Sequence, residues 1–368
     1  MVSSQDFNPM AFKFGSKFGA ESGSASYSIS GSVSGRIPAQ WEPHAATLMA
    51  YPFDDALWFG KLASVRAEYD QLLLEILKGE DVTLVIPPAD ESAESATRNA
   101  PWAGHARLKF VRQQLNDVWL RDSGPIIVKH AQEKIGLDFI FNAWGEKFDF
   151  ANDDKLAARL CEGLGIERLR LPFVFEGGSI DVNGVGSALT TEQCLLEPQR
   201  NPAYSKHEID AALRDVFGLS SLVWLGRGLE GDHTDGHIDT IARFIGVDTV
   251  ACHYADDRSH PSFFALNENL KQLEDLAAKG NSAVKNVVAI PIPKRVDSFN
   301  GDFVPYSYVN FYFCNAGLIV PQFADDNDGR VLEILQKHLP GQKVIGLNAR
   351  NIVLGGGVFN CLTQQVPV

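Results

Sequence analysis

The stretch Gly231-Asp232-His233-Thr234-Asp235-Gly236-His237-Ile238-Asp239 sets three Asp and two His between glycines, just ahead of an apolar run that begins at Ile241. An imidazole beside carboxylates can hold a polar substrate and move its protons, provided a nucleophile arrives from elsewhere in the chain. The β-prone run 238–247 predicts a strand entering the core, on which His237 and Asp239, two apart, point to one face. Two plainer readings compete. Such a pair can be a hydrogen-bonded strand end. Alternatively, His233, His237 and Asp239 could ligate a metal, but a four-residue His spacing unites ligands only on a helix, which Gly231 and Gly236 oppose. No metal is expected.

Three other clusters interrupt apolar runs. Trp119-Leu120-Arg121-Asp122-Ser123-Gly124-Pro125 carries an Arg-Asp pair that reads equally as a structural ion pair or as part of a site. Phe175-Glu176-Gly177-Gly178-Ser179 places a carboxylate before two glycines, where the backbone can come close to a ligand or another strand. Gly355-Gly356-Gly357-Val358-Phe359-Asn360-Cys361 leads three glycines toward a strand-like cysteine, a backbone able to carry a thiol into a cleft.

The elements that must position these groups follow from periodicity. Apolar residues at Val65, Tyr69, Leu72, Leu73 and Ile76 predict a helix over 63–77, between β-prone runs at 46–51 and 82–86. Similar strand and helix alternation recurs around 108–164, 208–225, 265–292 and 329–347, five cycles in a coarse count. That alternation predicts an α/β architecture of repeated small units. Thr190-Thr191-Glu192-Gln193-Cys194 reads as a capped helix start, and Asn142-Ala143-Trp144-Gly145 as a loop carrying an aromatic wall. No glycine pattern for a dinucleotide or a P-loop opens any helix, so no nucleotide cofactor is expected.

With 368 residues, 45% hydrophobic and 21% charged, the chain can bury a substantial core. A formal net charge of -13 would repel nucleic acid and anionic membranes, and favours a small cationic substrate. The five cysteines are widely spaced, which predicts reduced thiols in a cytoplasmic setting, four buried and one reactive. Neither a long apolar span nor a signal-like start is present. Residues 1–36, rich in Ser and Gly, predict a flexible extension, followed by one folded domain over 37–368.

Taken together, Trp41-Glu42-Pro43-His44, the clusters at 119–125, 141–145, 176–179, 190–196 and 231–239, and the run 355–365 resemble the agmatine deiminase family of the guanidino-group-modifying superfamily. The resemblance covers about residues 38–368 and implies a five-bladed α/β propeller with pseudo-five-fold symmetry. It also implies hydrolytic deimination of a guanidine, foremost agmatine to N-carbamoylputrescine, with neither metal nor organic cofactor. Catalytic roles fall to Cys361 as nucleophile, His237 as acid/base, Asp122 and Asp239 as guanidinium clamps, and Glu176 as the partner of His237. Trp119 and Gly356 are expected at the substrate. His233 stands where agmatine-specific relatives usually carry an Asp for the distal ammonium, so Asp232, Asp235 or Glu146 is expected to supply that charge. Asn360, beside the nucleophile, replaces a commoner His and is expected in the substrate site. These departures leave other arginine-derived or peptidyl guanidines open, as well as amidinotransfer to an amine; a metal-dependent hydrolase ranks lower. The resemblance further suggests a homo-oligomer.

Overall fold

The computed structural model describes residues 35–88, 90–130, 133–280 and 282–368, together with the paired two-residue strands Gly15–Ser16 and Tyr27–Ser28. The expected flexible extension therefore lies largely outside the described residues. The body is already engaged at Arg36, whose backbone bridges to Lys129 and whose guanidinium reaches Glu42 at 2.6 Å.

One unit recurs five times: an antiparallel strand pair, a helix, and a third strand parallel to the second. In the second unit these are Ile126–His130, Glu133–Ile140, helix Leu156–Leu164 and Glu167–Val174. The third comprises Asp181–Val182, Ser187–Thr191, helix Lys206–Phe217 and Ser221–Leu225. The fourth runs Ala242–Gly246, Thr249–Tyr254, helix Phe263–Lys279 and Asn286–Pro291. Strands Tyr312–Cys314 and Gly317–Gln322, helix Asp328–His338 and Val344–Asn348 form the fifth. The first unit is assembled from both ends of the chain. Its antiparallel strand is the C-terminal Thr363–Pro367, paired with His44–Ala50, and helix Leu62–Leu77 then leads to the parallel strands Asp81–Ile86 and Leu108–Arg112.

Local chemistry explains these elements. Val65, Tyr69, Leu72, Leu73 and Ile76 form the buried stripe of the first helix. Helix Lys206–Phe217 starts at a capping box, Ser205 with Glu208, and stops at Gly218 in the left-handed region. The short helix Glu192–Leu195 is capped by Thr191, whose side chain accepts from the Cys194 amide.

Two expectations need correction. The strand expected over 238–247 forms only at Ala242–Gly246: 231–236 form turns, and Ile238–Thr240, with His237 just before it, is one turn of 3-10 helix. The side chains of Thr234 and Thr240 hold this shape through the His237 amide and carbonyl, at 3.1 and 2.9 Å, so local side-chain bonds override β propensity. Cys361 likewise sits in a turn, two residues before the last strand.

Candidate active site

The site residues come from the segments that lead into the first strand of successive units. Asp122 lies on the short helix Leu120–Ser123, Glu176 precedes the 3-10 turn Gly177–Ser179, and His237 with Asp239 frames the turn Ile238–Thr240. Cys361 follows a further 3-10 turn, Ile352–Gly355, and the remaining glycines. All five residues are buried, and the structure brings them together.

The Cys361 sulfur is 3.7 Å from Oδ2 of Asp239, and Cys361 and Asp122 line one cavity of about 240 Å³. Oδ1 of Asp122 stands 3.8 Å from Nδ1 of His237, whose Nε2 is 3.8 Å from Glu176. Both distances exceed hydrogen-bond length, and among the described residues neither ring nitrogen has a hydrogen-bond partner. Asp122 is fixed by the Gly178 amide at 2.8 Å and the Trp144 indole at 2.9 Å. These approaches need bare backbone. A Cβ on Gly178 would lie 2.4 Å from His237 Nδ1, and one on Gly357 would lie 2.8 Å from Cys361 Cβ.

Burial acts on every charge here. It pushes the Asp122 carboxyl up to about 6, against the opposing pull of His237. Burial also opposes the ionised form of Glu176, but the Arg200 guanidinium wins and holds that carboxyl below its ordinary value. Desolvation alone would discharge His237; Asp122, Cys194 and Glu176 outweigh it and keep the imidazole pKa well raised. The Cys361 thiol is driven well up by burial and by the Asp239 and Asp122 carboxylates. An incoming planar cation would reverse that last effect, because it neutralises the carboxylates that oppose the thiolate.

Two positioning residues were missed in the sequence. Arg200, wholly buried, donates from Nε to both Glu176 oxygens at 2.9 and 3.0 Å, and reaches Asp235 at 2.7 Å and the Thr234 carbonyl at 2.8 Å. Asn310 donates to the Cys361 sulfur at 3.2 Å and to the Asp239 carbonyl at 3.4 Å, while its oxygen accepts from the Asn360 and Cys361 amides. Asn310 stands in an apolar run, and Arg200 in the polar segment Glu197-Pro198-Gln199-Arg200-Asn201, which reads as an ordinary loop.

Several expectations change. Trp119, His233 and Gly356 do line the cavity. Asn360 is absent from the cavity wall: its amide donates to Asp239 at 2.7 Å and accepts from Gln40 at 2.8 Å. Asp232 is occupied by the Thr234 amide and hydroxyl at 2.9 and 2.7 Å, and Asp235 by Arg200 and Lys147. Glu146 is exposed and absent from the cavity wall. None of the three lines the cavity. Arg121 does not pair with Asp122; it reaches the Asn360 carbonyl and Gln365. Among the described residues, His233, His237 and Asp239 do not converge as metal donors. The trio that does, Glu176, Cys194 and His237, is crowded by the Arg200 cation on Glu176.

A family model described as Porphyromonas-type peptidyl-arginine deiminase matches residues 36–367. A relative from Selenomonas ruminantium, named "Putative agmatine deiminase", is 35% identical over 356 residues, covering 90% of this chain and 95% of its own. The solved structure of an Enterococcus faecalis agmatine deiminase, described as catalysing its reaction, superposes with a TM-score of 0.83 at 32% identity, covering 92% of this chain and 98% of that one. The chain belongs to the agmatine deiminase family. A C. jejuni agmatine deiminase variant with substrate bound agrees, with a TM-score of 0.82 and 31% identity over 90% of this chain and 96% of the other. An amidinotransferase from Microseira wollei, 12% identical with a TM-score of 0.53, shares the fold alone. This family member is thus an α/β enzyme of the pentein type, a hydrolase acting on C–N bonds. No helix among the described residues is long and apolar enough to cross a membrane.

Proposed function

We propose that this enzyme hydrolyses the guanidinium of a small cationic substrate, agmatine first, to N-carbamoylputrescine and ammonia through a covalent thiouronium on Cys361. The observation that carries the reading is the convergence of a buried thiol, two carboxylates and an imidazole: Cys361 and Asp122 line one cavity, the sulfur is 3.7 Å from Asp239, and His237 stands 3.8 Å from Asp122. A guanidinium carbon is a poor electrophile, and catalysis requires that its plane be fixed and its charge held while sulfur approaches the face. Asp122 and Asp239 clamp its N–H edges. Their neutralisation by the cation releases the Cys361 proton to solvent. The thiolate adds to carbon, and the charged His237 protonates one nitrogen of the tetrahedral adduct, which departs as ammonia. The positive thiouronium then takes water, deprotonated by the now neutral His237, and collapse restores the sulfur and frees the ureido product. Glu176, anchored by Arg200, keeps the imidazole charged for the first half. We also infer that the five units close around one axis as a five-bladed propeller, since each leads a site residue into its first strand.

The test is product formation from agmatine. Ammonia and the ureido product should appear in equal amounts, be lost by roughly a thousandfold or more in Cys361→Ala, and be insensitive to EDTA. Activity surviving in Cys361→Ala, or removed by chelation, contradicts the proposal. A new guanidine formed from an added amine would mark amidinotransfer instead.

A further inference from the structure

Glu176 and His237 frame two separate turns, Gly177–Ser179 and Ile238–Thr240, and how the pair acts depends on the distance between them. Two adjacent residues at the end of strand Ser187–Thr191, Thr190 and Thr191, reach one segment each. Neighbours on an extended strand send their side chains to opposite faces. The Thr190 hydroxyl donates to the Ser179 carbonyl at 2.8 Å, and the Thr191 hydroxyl to the Gly236 carbonyl at 2.7 Å. Ser179 closes the first turn by donating its amide and its hydroxyl to the Glu176 carbonyl, at 3.0 and 2.6 Å. Gly236 is the residue immediately before His237. Both threonines are fully buried. The Thr191 oxygen also accepts from the Cys194 amide at 3.3 Å, which leaves its single proton for Gly236.

We propose that Thr190 and Thr191 are positioning residues for the acid/base pair: one strand end sets the distance of the Glu176 carboxylate from the His237 imidazole by holding the backbone on each side. The inference rests on the deiminase reading above. Nε2 of His237 stands 3.8 Å from Glu176, beyond hydrogen-bond length, so the pair has no direct bond to keep its own spacing. Arg200 ties the same segments through the Glu176 side chain and the Thr234 carbonyl. The threonines act on backbone at both ends and add no charge. Losing either hydroxyl leaves a buried carbonyl unpaired and its segment free to shift. The clamps keep partners that neither threonine touches, the Trp144 indole for Asp122 and the Asn360 amide for Asp239. The loss should therefore fall on proton transfer and spare binding.

The experiment measures kcat and KM for agmatine in Thr190→Val and Thr191→Val, which keep the branched shape and delete the hydroxyl, and in Thr190→Ser and Thr191→Ser, which keep the hydroxyl. Each Val variant should lose kcat by roughly 10- to 100-fold with KM within about threefold of wild type, and each Ser variant should recover kcat to within about threefold. The double Val variant should lose little more than the worse single one, because both act on one distance. Val variants with wild-type kcat, a loss carried by KM, or single losses that multiply in the double variant overturn the inference, as does a Ser variant that loses as much as its Val counterpart. If a Val variant does not fold, Ala, whose smaller side chain leaves room for a water at the carbonyl, replaces it with the same readings. A wild type that forms no ureido product from agmatine takes down the deiminase reading and this inference together, a result distinct from unimpaired Val variants.

Discussion

Asn310 gives the most direct access to the state of the nucleophile. Its amide N–H is the polar side-chain group 3.2 Å from a sulfur that burial and two carboxylates otherwise keep protonated. Asn310→Ala should raise the Cys361 pKa further, slow alkylation by neutral iodoacetamide about tenfold at a fixed pH near 8, and lower kcat/KM by roughly 10- to 100-fold. Asn310→Asp, which sets a third carboxylate against the sulfur, should be worse. If the pH profile of alkylation is unmoved in Asn310→Ala, the residue serves the turn alone. Sequence reading could single out Cys361, His237, Asp122, Asp239 and Glu176 because each lies in a cluster of polar and glycine residues that folding alone explains poorly. Asn310 and Arg200 escaped because they act on partners 51 and 24 residues away, and their own neighbourhoods look like ordinary chain.

The regular elements were legible because their stripes and alternations repeat over many residues; helix Leu62–Leu77 and strand Asp81–Ile86 lie within a residue of the spans that periodicity predicts. The turns that carry the chemistry were not. Gly177–Ser179 and Ile238–Thr240 are three residues each, too short for any period, and are set by side-chain bonds and by contacts with distant segments. Gly178 shows how little room such a turn has. Its amide holds Asp122, and an added methyl would stand 2.4 Å from the His237 ring. Gly178→Ala should therefore reduce kcat about a hundredfold or more by displacing the imidazole, with fluorescence and circular dichroism close to wild type. Near-normal turnover in this variant would mean that the ring can shift without loss, against a requirement for the observed spacing.

The five units share one plan, and each brings its first strand in behind a residue of the site: Cys361, Asp122, Glu176, the pair His237 and Asp239, and Asn310. The last strand completes the first sheet, so Cys361 is placed by the pairing of Thr363–Pro367 with His44–Ala50. Buried acids in this arrangement should leave a mark on the whole molecule. Burial raises Asp122 to about 6 and Asp153 to about 7, above the unfolded value of 3.8. The folded state therefore binds protons more tightly than the unfolded chain; this contribution is complete below the unfolded value and is lost as pH rises through 6 and 7. His237, also raised, has its contribution in full below the ordinary imidazole value of 6.5 and loses it as pH climbs through its folded value. Glu176, lowered, contributes above its unfolded value of 4.5 and is already saturated at pH 5.5. The urea midpoint should fall from pH 5.5 to 8.5, by the equivalent of about a few kcal/mol. A flat or rising profile would show that these acids are not held without compensating cations.

The covalent step is the claim on which the mechanism stands, and trapping it tests that claim most directly. Enzyme quenched in acid during turnover of agmatine, then digested and weighed by mass spectrometry, should carry the mass of agmatine less ammonia on the peptide containing Cys361. The adduct should be absent in Cys361→Ala and should accumulate if the second, hydrolytic half is slowed. Steady turnover with no adduct on Cys361 at any quench time, together with activity retained in Cys361→Ala, would contradict the account.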